Sequence, residues 1–146
     1  MVFISACLAG KACRYNGKAK PNLNILKMME EGGEYRLFCP ECLAGMPIPR
    51  QPSEILSGTG ADVLDGRARV VGADGSDRTE EFLAGAQKAL ALAKKCGVKE
   101  AYLKAKSPSC GVGEVYDGSF SGKLISGNGV TAELFCRNGI KTIKMD

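Results

Sequence analysis

The sequence predicts a single α/β domain with a mostly parallel sheet, flanking helices and a Rossmann-like site at the carboxyl ends of the strands. Short apolar runs typical of buried strands alternate with longer segments in which apolar residues recur at helical spacing. The chain has 146 residues, of which 45% are hydrophobic, and this size and composition suit one domain with a real core. We therefore assign residues 1–146 to one domain.

The first third of the chain predicts two strands joined by a helix. Val2–Ala6 is an apolar run typical of a buried strand. A cap at Asn22 and glycines at positions 32 and 33 delimit a helix that runs through about Glu31. Tyr35–Phe38 predicts the second strand. Four prolines lie within Cys39–Pro52, so we expect an ordered loop there rather than a helix.

The middle of the chain predicts the clearest helix. Arg67–Val71 is a weaker strand candidate that precedes it. Asp77 is a suitable cap, because a glutamate follows three residues later as in a capping box. Apolar residues then recur at helical spacing until Gly97, where the helix is expected to end. Glu100–Leu103 predicts a further strand.

The last third predicts a turn, a helix and a strand. Tyr116–Phe120 has the composition of a tight hairpin turn. Thr131 is expected to begin a short helix that stops at Asn138, and Ile140–Ile143 predicts the final strand. Strands and helices thus alternate along the chain, which favours a parallel sheet.

Composition narrows the chemistry, because the chain has seven cysteines and no histidine. Histidine-based triads, histidine general bases and histidine-ligated metals are therefore excluded. The net charge of +4 is too mild and scattered for a dedicated nucleic-acid binder. No apolar run approaches the ~20 residues of a membrane span, and no secretory leader opens the chain. We expect a cytoplasmic protein with reduced thiols, a small-molecule substrate, and neither membrane nor stable nucleic-acid binding.

Three cysteines follow predicted strands and are expected to meet at one edge of the sheet. These are Cys7, Cys39 and Cys110, whereas Cys96 and Cys136 belong to helices and are expected to be bystanders. Three thiolates without histidine suit a soft metal centre. An iron–sulfur cubane normally takes four cysteines, so three ligands would leave one iron open to act as a Lewis acid.

Other interpretations of the thiols remain open at this point. Free cysteines often merely fill space in a core. A zinc site would use Cys7, Cys13, Cys39 and Cys42, although the first spacing is long for a zinc knuckle. A thioredoxin-type redox pair at Cys39 and Cys42 would need a helix directly after Cys39, and the prolines predict none.

Several segments carry a resemblance to a known bacterial family. Ile4–Gly10 and Cys13–Gly17 resemble its opening SACLLG and RYDG motifs, and Leu103–Gly111 resembles its LK.RSPSCG signature. Further matches lie in the blocks Cys39–Glu41, Gly45–Ile55, Thr79–Ala86, Tyr116–Phe120 and Gly127–Ala132. These motifs occur in the family's order over nearly the whole chain. The sequence therefore resembles the thiouracil desulfurase family.

The resemblance implies a cofactor and a reaction. It implies a 4Fe-4S cluster held by Cys7, Cys39 and Cys110, with one open iron. It also implies non-redox desulfuration of a thiolated pyrimidine, in which C=S becomes C=O and sulfur leaves as hydrosulfide. The alternative is a non-catalytic domain that binds zinc or carries a sensory iron–sulfur cluster.

The resemblance also implies the catalytic residues. Glu41 is expected to carry the proton, and Ser107 or Ser109 to orient the substrate or relay a proton. A solvated loop carboxylate and serines that only open a turn are the structural alternatives.

Basic residues lie in the same loops. Arg14, Arg50 and Lys104 are expected to bind the substrate, and would hold a phosphate if the substrate is a nucleotide. The alternative for each is ordinary solvated surface charge.

Overall fold

Eight strands and five helices make up the fold of residues 1–146 in this computed structural model. The strands are β1 (Val2–Ser5), β2 (Tyr35–Phe38), β3 (Ser53–Leu56), β4 (Arg69–Gly72), β5 (Glu100–Lys104), β6 (Glu114–Tyr116), β7 (Leu124–Ser126) and β8 (Lys141–Met145). The helices are α1 (Leu23–Glu30), α2 (Pro40–Leu43), α3 (Gly60–Leu64), α4 (Thr79–Lys95) and α5 (Val130–Arg137). None of the helices combines the length and apolar character needed to cross a membrane.

The central sheet has four strands in the order β2-β1-β5-β8, and all its neighbouring strands are parallel. This confirms the predicted α/β fold. The chain moves from β1 to β2 on one side and then crosses to β5 on the other side of β1. Such a change of direction opens a crevice at the carboxyl ends of the strands, where α/β proteins place their ligands.

The two antiparallel pairs, β3 with β4 and β6 with β7, lie outside this sheet. The sequence did not predict β3 or the short helix α3. Seven residues, from Asp117 to Lys123, separate β6 from β7, so the predicted tight turn is instead a wider loop. Its backbone approaches β3 closely, since a Cβ on Gly118 would lie 2.6 Å from the Ile55 carbonyl oxygen.

The helix boundaries follow from their capping groups. The Asn22 side chain accepts hydrogen bonds from the backbone N–H groups of Asn24 at 2.9 Å and Ile25 at 3.1 Å, which confirms the predicted start of α1. Helix α4 begins one residue later than predicted. Its N-cap is Arg78, and Asp77 accepts a hydrogen bond from the Thr79 N–H at 2.9 Å from outside the helix.

The expectation of a loop throughout Cys39–Pro52 is wrong at its start. Helix α2 begins directly after Cys39, with Pro40 at its first position. A proline fits there because the first N–H of a helix needs no partner and the ring presets the backbone angle.

Helix α2 packs against helix α4 at Gly85. A Cβ on Gly85 would overlap the carbonyl oxygen of Pro40. The absence of a side chain thus lets the backbones touch, and this contact fixes the segment that follows β2.

Candidate active site

One cavity of about 520 Å³ lies at the carboxyl ends of β1, β2 and β5, where the crevice is expected. Four of the seven cysteines line it: Cys7, Cys13, Cys39 and Cys110. The sequence predicted three of these as cluster ligands, and the structure brings all three to the same cavity. Cys96 and Cys136 lie outside it, as expected of bystanders.

Each predicted ligand is carried by a different segment. Cys7 lies in the single 3-10 turn Ala6–Ala9 that follows β1, and Cys39 is the N-cap of α2 directly after β2. Cys110 lies in the loop after β5. Cys7 and Cys110 are buried and Cys39 is half-buried. The three residues are thus largely shielded from bulk solvent, although all three line the cavity.

Two side-chain hydrogen bonds shape the loop that carries Cys110. The hydroxyl oxygen of Ser107 accepts from the backbone N–H groups of Ser109 at 3.1 Å and Cys110 at 3.0 Å. Burial raises the pKa of Cys110 to about 12, and a hydrogen bond with Ser5 opposes this rise. Without a metal, the thiol form is therefore favoured, and a bound cation would reverse that preference.

Cys13 and Cys42 lie beside Cys39. The backbone carbonyl of Cys13 accepts from the thiols of Cys39 at 3.9 Å and Cys42 at 3.8 Å. The Cys39 side chain lowers the pKa of Cys13, but hydrogen bonding to Cys7 and burial prevail and raise it to about 11. Burial also raises the pKa of Cys42 to about 11.

Cys39 has its own pKa raised by hydrogen bonding to Cys13 and by burial. This is the opposite of the lowered pKa that a thioredoxin-type pair requires. Helix α2 does follow Cys39, contrary to expectation, but the interpretation as a redox pair gains no electrostatic support.

Arg50 fixes the geometry beside these thiols. Its guanidinium donates to the carbonyl of Cys13 at 2.9 Å and to that of Pro47 at 3.1 Å. It also contacts the Glu41 carboxylate, with 3.4 Å between Nε and Oε1. The Arg50 side chain is only 4% exposed. Although Arg50 lines the cavity, its donors are largely engaged by the protein.

Glu41 lines the cavity in the first turn of α2. Burial raises the pKa of its carboxyl, and the charge and hydrogen bond of Arg50 oppose that rise. One carboxylate oxygen contacts Arg50, whereas Oε2 has no partner in the protein. The side chain is thus oriented but keeps one oxygen free.

The two candidate serines differ in position. Ser107 lines the cavity, whereas Ser109 does not and is 1% exposed. The Ser109 hydroxyl lies 2.7 Å from that of Thr131. The carbonyl of Ser109 accepts from the N–H groups of Thr131 at 2.8 Å and Ala132 at 3.1 Å, so this residue caps the start of α5.

The predicted substrate-binding cations also differ. Arg14 lines the cavity and forms no ion pair. Lys104 is paired with Asp146 at 3.1 Å and donates to the Ala105 carbonyl at 3.2 Å. Lys20 and Lys106 also line the cavity, and neither forms an ion pair.

Other lining residues were missed at the level of sequence. Ser5, Tyr15, Glu54 and Phe120 all line the cavity. Ser5 is the last residue of the strand before Cys7, which was a usable signal. Glu54 belongs to strand β3, which was not predicted, and no sequence pattern indicated that Glu54 lies in the same cavity as the thiols.

The arrangement of the thiols bears on the zinc interpretation. No three of the chain's cysteine, aspartate or glutamate side chains are grouped to hold a single metal ion. This holds for the four cysteines of the zinc interpretation and equally for the three proposed cluster ligands. Three thiols that line one cavity from separate strand ends suit a cofactor larger than a single ion, such as an iron–sulfur cluster.

The fold and the site together define an α/β protein with a cavity lined by cysteines at the carboxyl edge of its parallel sheet. The profile of the 2-thiouracil desulfurase family matches residues 2–146, and the chain belongs to this family. This confirms the resemblance and the predicted class of enzyme.

Two known proteins are similar to the chain. The uncharacterized protein YbbK of Bacillus subtilis (strain 168) is 47% identical over 143 residues, which cover 98% of this chain and 94% of YbbK. The solved structure of the 4Fe-4S-dependent thiouracil desulfidase TudS is 38% identical, with a TM-score of 0.86. That match covers 99% of this chain and 90% of TudS.

Proposed function

We propose that the protein hydrolyses the C=S bond of thiolated pyrimidines at a 4Fe-4S cluster held by Cys7, Cys39 and Cys110. The observation that carries the proposal is the convergence of these three thiols, from three strand ends, on one cavity that also contains Glu41. When bound, the cluster supplies an open iron that accepts the thiocarbonyl sulfur as a Lewis acid. The overall change replaces sulfur by a water oxygen and releases hydrosulfide, so no net electron transfer is needed.

Glu41 is the residue placed to move the proton. Its Oε1 is fixed by Arg50, and Oε2 is free to accept a proton from a water molecule in the cavity. The water oxygen then bonds to the carbon that bears sulfur. Arg50 is the positioning residue in this step, because it holds both the carboxylate and the Cys13 carbonyl beside the ligand Cys39.

Ser107 is the serine that supports the reaction. It lines the cavity, and its hydroxyl oxygen accepts two backbone hydrogen bonds that leave its proton available as a donor. Ser107 therefore orients the substrate, whereas Ser109 holds the loop to α5.

The cavity lining carries more cations than carboxylates. Arg14, Lys20 and Lys106 line it without a partner carboxylate, while Lys104 is neutralised by Asp146. A volume of about 520 Å³ falls within the range of roughly 300–1,000 Å³ of small-molecule pockets. We infer that a thiolated pyrimidine with a phosphate binds better than the free base, with the phosphate on these cations.

The test is anaerobic reconstitution followed by an assay. We expect iron and sulfide to be incorporated with a brown visible spectrum, and hydrosulfide to be released from 2-thiouracil, 4-thiouracil or 4-thiouridine monophosphate. The monophosphate is expected to show the lowest KM. A protein that binds no iron would contradict the cluster, and a loaded protein that releases no hydrosulfide would favour a sensor.

A further inference from the structure

The carboxylate of Glu54 is buried beside the cavity, and the proposed reaction assigns it no role. Glu54 lies on β3, is 9% exposed and lines the cavity. Its Oε1 accepts hydrogen bonds from the backbone N–H groups of Gly118 at 3.0 Å and Phe120 at 3.2 Å. Both donors belong to the loop between β6 and β7, so one oxygen fastens that loop to β3.

The second oxygen of Glu54 is not needed for that fastening. Oε2 receives no hydrogen bond from the protein, and no lysine or arginine pairs with this carboxylate. A buried charge is costly unless it is paired or hydrogen-bonded. An amide oxygen could also accept from the two N–H groups, although more weakly, so the fastening alone does not require a carboxylate here.

The fastened loop contributes an aromatic wall to the cavity. Phe120 lines the cavity at 38% exposure, and its φ of 55° lies in the left-handed region that non-glycine residues rarely adopt. Tyr15 also lines the cavity, at 39% exposure. A flat heterocycle matches half-exposed aromatic faces of this kind. Glu54 thus contacts the loop that carries Phe120 and also lines the cavity.

The chemistry of thiolated pyrimidines supplies a partner for the free oxygen. The ring N–H at position 3 lies between carbons 2 and 4, so it is adjacent to the thiocarbonyl whichever carbon carries sulfur. A carboxylate oxygen is a strong acceptor for such a donor. We propose that Glu54 is a specificity-determining residue whose Oε2 accepts a hydrogen bond from this ring N–H, while Oε1 holds the loop that carries Phe120.

This inference rests on the proposed function for its substrate. It adds a residue that hydrogen-bonds to the ring of the substrate, whereas Glu41 moves the proton at the reacting carbon and Ser107 orients the substrate.

The test compares Glu54→Gln with the wild-type protein, both cluster-loaded. The amide keeps one oxygen for the loop but replaces the free acceptor with an NH₂ donor. We expect the KM for 4-thiouracil and the dissociation constant of the product uracil to rise about tenfold or more, as expected when a charge-assisted hydrogen bond is lost. The turnover number and the visible spectrum are expected to change little.

A matched control and a second variant separate binding from loop structure. Glu114→Gln alters a nearby glutamate outside the cavity and is expected to leave KM unchanged. Glu54→Ala removes both oxygens, so it is expected to expose residues 117–123 to limited proteolysis, which Glu54→Gln does not.

Methylation of the substrate provides a test that does not depend on a variant folding. We expect 3-methyl-4-thiouracil to be a poor substrate for the wild-type protein, and Glu54→Gln to discriminate less between the methylated and unmethylated compounds. Equal KM values for the two compounds in the wild-type protein would overturn the inference, as would an unchanged KM and uracil affinity in Glu54→Gln. Failure of the wild-type protein to release hydrosulfide would instead overturn the proposed function, and uracil against 3-methyluracil binding would still test Glu54.

Discussion

At the scale of single residues, the site depends on side chains that serve two neighbours at once. Arg50 was expected to bind substrate, yet its buried guanidinium holds Glu41 and two backbone carbonyls. Ser109 was a candidate for catalysis, yet it lies behind the cavity wall and caps α5. Residue type and spacing predict a position near the site, but they do not tell which direction a side chain faces.

The three proposed ligands can be distinguished from the other cysteines by substitution. We expect Cys7→Ala, Cys39→Ala and Cys110→Ala each to abolish cluster binding, because each removes one of three ligands. Cys96→Ala and Cys136→Ala are the controls, since both residues lie outside the cavity. Iron and sulfide content after anaerobic reconstitution checks this expectation. Retention of a full cluster in any of the first three variants would contradict the proposed ligand set.

The two serines of the loop after β5 are expected to respond differently. Ser107→Ala should lower kcat/KM, because its hydroxyl lines the cavity. Ser109→Ala should leave kcat/KM within a few-fold of wild type but lower the stability by about 1 kcal/mol, since it removes a buried hydrogen bond to Thr131. Steady-state kinetics and thermal unfolding separate the two effects. A larger loss of kcat/KM in Ser109→Ala than in Ser107→Ala would reverse these assignments.

At the scale of elements, the sequence predicted the strands and helices that have a clear pattern of apolar residues or capping groups. The four strands of the central sheet are short segments with two or more apolar residues each, separated by helices, and all four were predicted. Helix α2 was missed because prolines were counted against a helix, although Pro40 occupies the one position where proline is favourable. Strand β3 was missed because only its antiparallel partner β4 carried a visible pattern.

The contact between α2 and α4 leads to a prediction at this scale. Gly85→Ala would place a methyl group against the Pro40 carbonyl, so it should destabilise the protein by about 1–3 kcal/mol. A glycine-to-alanine change within a helix is otherwise stabilising, by up to about 1 kcal/mol. Displacement of α2 also moves Cys39 and Glu41, so activity should fall. Thermal unfolding and the desulfuration assay check both effects.

Helix α4 itself offers the control for that substitution. Gln87→Ala alters an exposed residue of the same helix and should leave both stability and activity close to wild type. If Gly85→Ala were more stable than the wild-type protein, the close packing of α2 against α4 would not hold.

At the scale of the whole molecule, the cofactor would join three distant parts of one sheet edge. The proposed ligands come from the ends of β1, β2 and β5, so only the folded chain brings them together. A ligand that binds the native state alone stabilises it, by about 2.7 kcal/mol at a hundredfold excess over its dissociation constant.

We therefore expect the cluster-loaded protein to unfold about 5 to 10 °C above the iron-free protein. Anaerobic thermal unfolding of both forms measures the difference. The Cys7→Ala variant, treated in the same way, should show no increase. Identical unfolding temperatures for the loaded and iron-free wild-type protein would mean that the three segments are not joined by the cofactor.

The backbone pairing around Cys110 has a consequence for how such a protein can change over time. Backbone N–H groups of residues 127–132 donate hydrogen bonds to the carbonyls of Pro108, Ser109, Gly111 and Gly113. These bonds join the segments that enter and leave the β6–β7 hairpin. The proposed ligand Cys110 lies within this paired segment, whereas Phe120 lies in the loop between β6 and β7. The hairpin loop can thus differ in length and side chains without altering the backbone pairing that holds Cys110 in place.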